Sequence, residues 1–207
     1  LDDFHVNAGG SLNVLEAVRR SGRKIPVIFA STNKVYGALE DVGLVEREGR
    51  RKPIEPRIDA YGIDESRPLD FCTPYGCSKG VADQYVLDYA RSFDLPTAVL
   101  RMSCIYGPRQ FGTEDQGWVA HFLLRALGCQ PICIYGDGTQ VRDILHIDDA
   151  VAAYRAVLTN IERLKGRAFN LGGGSANAVS LRQLLSEIAA ITGRACDVSH
   201  GDWRQGD

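Results

Sequence analysis

A tyrosine and a lysine four residues apart, Tyr75 and Lys79, are the side chains of this sequence best suited to chemistry. On a helix that spacing places both on one face, where the ammonium lowers the pKa of the phenol and makes it a proton shuttle. If the Thr32 hydroxyl reaches the same space, the three groups form a set suited to moving a proton while a hydride leaves carbon. Hydride transfer of this kind requires a nicotinamide, so these residues predict a dinucleotide cofactor.

The sequence lacks the turn that ordinarily binds a dinucleotide, a Gly-x-x-Gly-x-x-Gly loop between the first strand and the first helix of the fold. Residues 1–10 contain no Met start, no apolar strand and no phosphate-binding loop. The glycine run 172–174 follows a strand-like segment, but its spacing does not match, and we interpret it as a plain turn or a loop near substrate. We therefore expect the chain to be the middle and later part of a longer protein, cut at both ends.

The composition is that of an ordinary globular chain. It has 207 residues, 44% of them apolar, and a formal net charge of −2, which suits one domain or two small ones with a sizeable core. Basic residues alternate with acidic ones and no apolar run reaches about 18 residues, so the sequence indicates neither a nucleic-acid surface nor a membrane span, and it favours the cytoplasm. The six cysteines lack metal-binding spacing, and we predict no metal site.

Helical and strand-like patterns alternate along the chain, which favours an α/β fold with a doubly wound parallel sheet. Residues 25–30 form a buried strand pattern, so Thr32 falls at the carboxyl end of a strand, where open parallel sheets place their ligands. Pro74 opens a helix that continues to about Phe93. The other predicted elements are helices at 13–18, 118–127, 148–160 and 181–192, the last capped by Ser180, and strands at 97–102, 132–135, 143–146 and 168–171.

We place the boundary between the sheet domain and a smaller lobe near Tyr106. This divides the chain into residues 1–105, the second half of a dinucleotide-binding domain, and 106–207, mainly a substrate-binding lobe with segments that return to the sheet. The stretch 38–70 is rich in charge, Pro and Gly, and we predict an irregular excursion without chemistry. The polar loop 107–117 is a candidate for contact with a polar ligand.

Six motifs, in this order, resemble the extended short-chain dehydrogenase/reductase family of NAD-dependent nucleotide-sugar epimerases and dehydratases. They are Asn7 in Asn-x-x-Gly, Ser-Thr-x-x-Val-Tyr-Gly at 31–37, Tyr-x-x-x-Lys at 75–79, Arg-x-x-x-x-Tyr-Gly-Pro at 101–108, Tyr-Gly-Asp-Gly-x-x-x-Arg-Asp at 135–143 and Arg-x-Gly-Asp at 204–207. A lone Tyr-x-x-x-Lys on a helix is usually an amphipathic surface pair, but six motifs in register make the resemblance specific. It covers nearly the whole chain and implies a Rossmann-like fold lacking its N-terminal part, with a smaller C-terminal substrate lobe.

Carried onto this sequence, the resemblance implies a catalytic set of Thr32, Tyr75 and Lys79 and a bound NAD. The residues expected to contact NAD are Asn7, Ser31, Tyr75, Lys79, Met102 and Ser103. Those expected to contact a nucleotide-diphosphate sugar are Asn33, Cys104, Arg109, Gln116, Tyr135, Arg142 and Arg204. Arg142 and Arg204 match arginines that grip the diphosphate, which suits the bidentate geometry of a guanidinium on phosphate oxygens.

Within the family, residues 31–37, 75–79 and 109–118 are most similar to the enzymes that invert C2 of a CDP-linked hexose. A C–H bond that is not beside a carbonyl is too weak an acid for direct deprotonation. The resemblance therefore implies transient oxidation to a keto-sugar, rotation of that sugar, and reduction on its other face. Epimerisation at C4 stays open as an alternative, because the carbon oxidised depends on how the sugar lies in its pocket.

Two further alternatives concern the class of the protein. A 4,6-dehydratase of this family carries Asp-Glu directly after the catalytic Thr, whereas this chain has Asn33 and Lys34, which cannot do the acid–base work of carboxylates. A non-catalytic sensor needs none of Thr32, Tyr75 and Lys79, so their joint presence argues against one. The apolar positions of the helix that begins near Tyr75 suit either a homo-oligomer formed through paired helices or a face turned to the core.

Overall fold

The computed structural model describes residues 1–203. The strands in that range are β1 (Val27–Thr32), β2 (Leu44–Arg47), β3 (Arg50–Pro53), β4 (Thr97–Met102), β5 (Cys104–Tyr106), β6 (Ile132–Tyr135), β7 (Val141–His146), β8 (Arg167–Leu171), β9 (Ala178–Ser180) and β10 (Val198–Gly201). The α-helices of the same range are α1 (Gly10–Arg20), α2 (Pro56–Tyr61), α3 (Thr73–Phe93), α4 (Trp118–Leu127), α5 (Ile147–Thr159), α6 (Ile161–Leu164) and α7 (Leu181–Thr192). A π-helical segment, Phe4–Gly9, leads directly into α1.

The centre of the fold is a parallel sheet with the strand order β1-β4-β8. Its middle strand is buried over residues 97–101, as expected for a strand covered on both faces. Helices α1 and α3 cover one face through a cluster that includes Val86 and Val99. Helices α5 and α6 cover the other face, where Leu100 packs with Val157. Helices on both faces of a parallel sheet confirm the predicted doubly wound α/β fold.

A smaller lobe is built from the short strands. Strands β5, β7 and β9 form one sheet, in which β5 and β7 are parallel and β9 is antiparallel, and β6 pairs with β10. Helices α4 and α7 pack on β6 around a core of their own that includes Ile134 and Leu185. Ser180 Oγ accepts from Gln183 N, and the Gln183 side chain accepts from Ser180 N, which confirms the predicted cap of α7. Strand β8 returns to the central sheet, and the division of the chain at Tyr106 stays a prediction.

The prediction of an irregular excursion over residues 38–70 is wrong. This stretch contains the antiparallel hairpin β2–β3 and helix α2. Glu48 and Gly49 at the hairpin turn have φ angles of 55° and 71°, the positive pair that suits the twist of a two-residue hairpin. The strands are charged, so no apolar alternation marks them. Contacts with the smaller lobe stabilise the hairpin instead, including a hydrogen bond of 2.9 Å from Ser180 Oγ to the Gly49 carbonyl.

The strands predicted at 97–102 and 132–135 and the helices predicted at 118–127 and 181–192 are confirmed with the predicted ends, and the remaining elements are confirmed with ends shifted by up to three residues. Strand β1 runs two residues further than predicted because its pairing with β4 continues until Thr32 lies opposite Met102. Helix α1 begins earlier than residue 13, at Gly10. The sequence reasoning did not predict β5, β9 and β10, which have only three or four residues each. Strands of that length are too short for a period of two to stand out, and β6, which has four residues, could be predicted because all four are apolar.

Gly80 allows the ring of Phe71 to cross α3 at close range. A Cβ at Gly80 would lie 2.4 Å from a carbon of that ring, so Gly80→Ala must displace the ring or the helix. We expect it to lower the free energy of unfolding by about 1–3 kcal/mol, measured by urea denaturation. Gly10→Ala is the matched control, since its Cβ would meet nothing closer than 3.7 Å and Ala favours a helix over Gly. Equal stability of the two variants would contradict this expectation.

Candidate active site

Thr32 is the last residue of β1, at the carboxyl edge of the central sheet. In register it lies opposite Met102 at the end of β4. Thr32 is also the N-cap of the 3-10 turn that follows, and its Oγ1 accepts a hydrogen bond of 3.2 Å from Lys34 N. The same hydroxyl donates to Asn33 Oδ1 at 3.3 Å. These bonds hold the Thr32 hydroxyl at the sheet edge, where the strand pattern predicted it.

Tyr75 lies in the first turn of α3 and is 41% exposed. Burial raises the pKa of the phenol above 10, hydrogen bonding to the Thr32 side chain lowers it, and the charge of Asp3 raises it, with a net rise. The Thr32 hydroxyl and the Tyr75 phenol therefore lie within interaction distance of each other, as the sequence predicted. The start of α3 is strained, because Thr73 has a φ of 63°, and Thr73 Oγ1 accepts a bond of 3.1 Å from Gly76 N.

Lys79 lies one turn further along α3. Its Nζ donates to the Ala30 carbonyl of β1 at 2.6 Å and lies 4.7 Å from the centre of the Phe29 ring. Burial lowers the pKa of this ammonium. The raised pKa of Tyr75 is opposite to the direction predicted from the spacing of the pair, because the ammonium is bonded to a carbonyl of β1 and burial of the phenol dominates.

A spectrophotometric titration of Tyr75 tests this balance of effects. In the cofactor-free protein, the difference between the wild-type and Tyr75→Phe titrations should show one phenol with a pKa above 10. Thr32→Val removes the hydroxyl that lowers this pKa, and should therefore raise it further. A Tyr75 pKa below 10 would contradict the dominance of burial, and a lower pKa in Thr32→Val than in the wild type would contradict the effect assigned to the Thr32 hydroxyl.

Asn7 and Ser31, both predicted to contact the cofactor, make contacts within the protein. Asn7 Nδ2 donates to Ser78 Oγ at 3.0 Å, and Ser78 Oγ donates to the Tyr75 carbonyl at 2.8 Å, so Asn7 ties the N-terminal helix to the start of α3. Ser31 is 3% exposed, and its Oγ donates to Asp83 at 2.8 Å. The cofactor roles of both residues stay predictions, and the Ser31 hydroxyl is engaged in the interior.

A buried ion pair that the sequence reasoning missed lies behind the sheet edge. Asp83 of α3 and Arg101 of β4 are 0% and 5% exposed, and two bonds of 2.9 and 3.0 Å join them. Arg101 also donates to the Tyr36 hydroxyl at 2.9 Å, and Tyr36 donates to Asn170 Oδ1 at 2.7 Å. Burial lowers the pKa of Arg101, but its bonds to Asp83 and Tyr36 outweigh that effect and raise it. The signal in the sequence was Arg101, the one charge of β4, whereas α3 carries four charged residues and nothing in its sequence marks Asp83 as buried.

Two cavities contain further predicted residues. One, of about 320 Å³, is lined by Asn33, Ser103 and Arg142 among others. The second, of about 150 Å³, is lined by Tyr135, Arg142 and the acidic loop at Glu114, and the Tyr135 hydroxyl donates to the Glu114 carboxylate. Arg142 belongs to both walls. A guanidinium between two cavities is placed to hold an anionic group of a ligand that occupies both.

The glycine run lies at the wall of the larger cavity. A Cβ at Gly172 would lie 1.8 Å from Asp143 Oδ2, and one at Gly173 would lie 1.9 Å from the Ile144 carbonyl oxygen. Only glycine therefore lets the chain leave β8 this close to β7. Ser103 also bonds to β7, because its Oγ donates to the Asp143 carbonyl at 2.7 Å.

Three of the remaining predicted substrate residues, Cys104, Arg109 and Gln116, do not line either of these two cavities. Cys104 is in β5, paired with Ile144. Arg109 is exposed and has a φ of 66°. Gln116 lies in an exposed turn, where its backbone N–H donates to Thr113 Oγ1 at 3.3 Å. Arg204 lies outside the described residues, as does the rest of its motif.

Within residues 1–203, no three His, Cys, Asp or Glu side chains are grouped so as to hold a metal ion. In the same range, no helix has both the length and the apolar character needed to cross a bilayer.

A family model described as the NAD dependent epimerase/dehydratase family matches residues 1–172. The chain therefore belongs to this family, as its motifs predicted. It is 49% identical over 187 residues to the CDP-paratose 2-epimerase of Salmonella typhi, a match that covers 88% of this chain and 54% of the relative. It is 30% identical over 178 residues to a putative UDP-glucose 4-epimerase of Methanocaldococcus jannaschii, covering 86% of this chain and 51% of that one.

Solved structures of the family share the fold. The UDP-glucose 4-epimerase of Thermus thermophilus, in complex with NAD, superposes with a TM-score of 0.77 at 32% identity over 99% of this chain and 60% of its own. The UDP-glucose 4-epimerase of Thermotoga maritima, with UDP-glucose, has a TM-score of 0.78 at 31% identity over 98% and 58%. These likenesses confirm the Rossmann-like fold. The chain spans about half the length of the curated relatives it matches.

Proposed function

We propose that the complete protein is an NAD-dependent epimerase, acting in the cytoplasm, that inverts a hydroxyl-bearing carbon of a nucleotide-diphosphate sugar. The interaction of the Thr32 hydroxyl with the Tyr75 phenol at the carboxyl edge of the sheet carries this proposal. A protein that only binds a nucleotide sugar needs no such pair. C2 of a CDP-linked hexose is the favoured position because the relative that is 49% identical is a CDP-paratose 2-epimerase.

The residues at the sheet edge fit a nicotinamide nucleotide. The phenol of Tyr75 and the ammonium of Lys79 lie on α3 beside the carboxyl ends of β1 and β4, the place where parallel α/β sheets bind dinucleotides. Tyr75 is partly exposed there and is free to meet a ribose. The residues proposed to contact NAD are Asn7, Ser31, Tyr75, Lys79, Met102 and Ser103. When bound, NAD⁺ supplies the acceptor and later donor of the hydride, and a positive charge beside the phenol.

Proton transfer falls to Tyr75. As a phenolate it takes the proton of the sugar hydroxyl, while Thr32 orients that hydroxyl and then the carbonyl formed from it. The phenol needs nearby positive charge for this work, because burial holds its pKa above 10 and a general base is most effective near neutrality. Lys79, which does not lower this pKa in the cofactor-free structure, is assigned part of that charge once NAD⁺ is bound. After the keto-sugar rotates, Tyr75 returns the proton as the opposite face is reduced, so no net reducing equivalents are consumed.

Rotation without loss of the intermediate requires a grip on the nucleotide. Arg142 lies on the walls of both cavities, so we assign it to the diphosphate, together with Arg204. Tyr135 in the smaller cavity is assigned to the base or ribose. The residues proposed to contact the nucleotide sugar are Asn33, Cys104, Arg109, Gln116, Tyr135, Arg142 and Arg204.

Inversion at C4 is the second candidate. The UDP-glucose 4-epimerases of Thermus thermophilus and Thermotoga maritima share the fold over nearly all of this chain, and nothing in the proton-transfer set selects the carbon that is oxidised. Dehydration is disfavoured, because the two residues after Thr32 are Asn33 and Lys34, neither of which carries a carboxylate.

Turnover in D₂O tests the proposal. The complete protein with NAD⁺ is incubated with CDP-paratose or with UDP-glucose, and the products are analysed by NMR. We expect inversion of CDP-paratose at C2 without deuterium at that carbon, because the hydride is held and returned within the active site. Deuterium at C2 would contradict transient oxidation, inversion of UDP-glucose at C4 alone would favour the second candidate, and conversion of neither sugar would contradict an epimerase.

We also propose that copies of the protein pair through α1 and α3. Ala82 and Val86, from the apolar stripe of α3, are buried in the core. Val14 of α1 and Phe93 of α3 are 54% and 45% exposed, and they offer apolar surface on the outer side of these helices. Light scattering of the complete protein should give the mass of a dimer or a larger assembly, and a monomer mass would contradict this pairing.

A further inference from the structure

Asp83 joins α3 to two strands of the central sheet. It is fully buried, one helical turn beyond Lys79, and its carboxylate accepts hydrogen bonds from Arg101 of β4 and from Ser31 of β1. Ser31 and Arg101 are paired in the sheet register, and Ser31 directly precedes Thr32. The helix that carries the phenol is therefore bonded to the strand that carries the threonine. The bond lies one residue before Thr32 on β1 and about two helical turns beyond Tyr75 on α3.

Arg101 extends these bonds to the turn after β1. Its Nη1 donates to the Tyr36 hydroxyl at 2.9 Å, and Tyr36 belongs to the 3-10 turn capped by Thr32. Tyr36 in turn donates to Asn170 of β8. Each element that supplies a side chain to the contact between phenol and hydroxyl is thus bonded to Asp83, directly or through Arg101.

The hydrogen bonds of Asp83 fix the orientation of α3 on the sheet more tightly than apolar packing can. Contacts such as Val86 with Val99 hold α3 on the sheet, but they tolerate small rotations and shifts of the helix. A bidentate bond between guanidinium and carboxylate fixes both direction and distance. Because a buried ion pair adds little net stability over well-packed apolar side chains, the geometry it imposes is the property that distinguishes it.

Given the proposed epimerase function, on which this inference rests, we propose that Ser31 and Asp83 are positioning residues for Tyr75. Their hydrogen bond, with Arg101 holding the carboxylate, sets α3 against β1 so that the phenol meets the Thr32 hydroxyl. The Ser31 hydroxyl acts through its bond to Asp83 of α3. The contact proposed between Ser31 and NAD is therefore made by the backbone or Cβ of Ser31.

Ser31→Ala in the complete protein removes this one bond and leaves the ion pair in place. We expect kcat to fall about tenfold or more, since a shift of about 1 Å between reacting groups costs up to about 100-fold. KM for CDP-paratose should stay within about twofold, the pattern of a lost transition-state interaction, because Tyr135 and Arg142 lie on other elements. The Tyr75 pKa should rise in the cofactor-free protein, since the Thr32 hydroxyl that lowers it is displaced.

Thr97→Val is the matched control. Thr97 is fully buried, and its Oγ1 donates to the Val86 carbonyl, so it joins β4 to α3 far from the phenol. This variant should lose stability like Ser31→Ala while keeping the wild-type kcat and Tyr75 titration. Tyr36→Phe is a second test of the same bonds, because it disconnects Arg101 from Asn170, and it should lower kcat. Tyr36 also lines the larger cavity, so KM is not a readout for this variant.

A folded Ser31→Ala protein with wild-type kcat and an unchanged Tyr75 titration would overturn the proposal. An equal loss of kcat in Thr97→Val would overturn it too, since any loosening of α3 would then have the same effect. If the wild-type protein converts neither sugar, the epimerase function fails, and the titration of Tyr75 in the cofactor-free variants still decides whether Ser31 positions the phenol.

Discussion

Replacing Tyr75 by Phe is expected to lower kcat by about 100- to 10,000-fold, the range contributed by a general acid–base group. The change removes one oxygen and leaves the ring, so the start of α3 keeps its packing while Thr32 loses the phenol it interacts with. The cavity residues Tyr135 and Arg142 are untouched, so the dissociation constant of the nucleotide sugar should change little. Single-turnover kinetics and calorimetric binding of CDP-paratose measure the two quantities separately.

Tyr85→Phe is the matched control for this experiment. It removes the same atom from the same helix, at a side chain that is 43% exposed. Activity should stay at the wild-type level, which would show that the loss in Tyr75→Phe belongs to the position and not to α3 as a whole. Turnover retained in Tyr75→Phe would instead assign proton transfer to another group and revive the interpretation of the chain as a non-catalytic binder.

Replacing Arg101 by Met is expected to cause the largest loss of stability, about 3–5 kcal/mol in the free energy of unfolding. The substitution removes the guanidinium from Asp83, which is 0% exposed, and leaves that carboxylate, among residues 1–203, with only Ser31 and Gln84 as hydrogen-bond donors. It also removes the donor to Tyr36. Urea denaturation followed by circular dichroism gives the difference from the wild type.

Arg57→Met separates the effect of burial from the effect of losing an arginine. Arg57 pairs with Asp64 at 2.5 Å, but the two side chains are 71% and 44% exposed, and pairs of this kind contribute about 1 kcal/mol or less. Replacing both members of the buried pair, in Arg101→Met with Asp83→Leu, should recover part of the loss, because no unpaired charge remains in the core. A loss for Arg101→Met no larger than that for Arg57→Met would show that the ion pair does not hold α3 on the sheet.

The parts of the site that could be predicted from the sequence are those that depend on local patterns of residues. The position of Thr32 follows from a short apolar strand, and the common face of Tyr75 and Lys79 follows from the pitch of one helix. The cap at Ser180 needs only residues within one turn. Each of these features depends on neighbours close in the chain, so no knowledge of the packed fold is required.

Features that join distant segments were not predictable in this way. Asp83 and Arg101 are eighteen residues apart in the chain, and the sequence around either residue does not indicate that the two form an ion pair. The charged strands of the hairpin carry no apolar alternation, and contacts such as that between Ser180 and Gly49, 131 residues apart, stabilise them. Both cases depend on which surfaces meet when the sheet and the smaller lobe pack.

The sequence by itself determined the family, the α/β fold and the identities of the three residues proposed for proton transfer, because motif spacing and helix and strand periods are properties of the chain. The tertiary structure decided how those groups are disposed. It bonds the Lys79 ammonium to the Ala30 carbonyl, raises the pKa of Tyr75 by burial, and turns the Ser31 hydroxyl toward Asp83. Hydrogen-bond partners and burial arise only when separate elements pack, so a pattern of residue types identifies the groups without stating their environment.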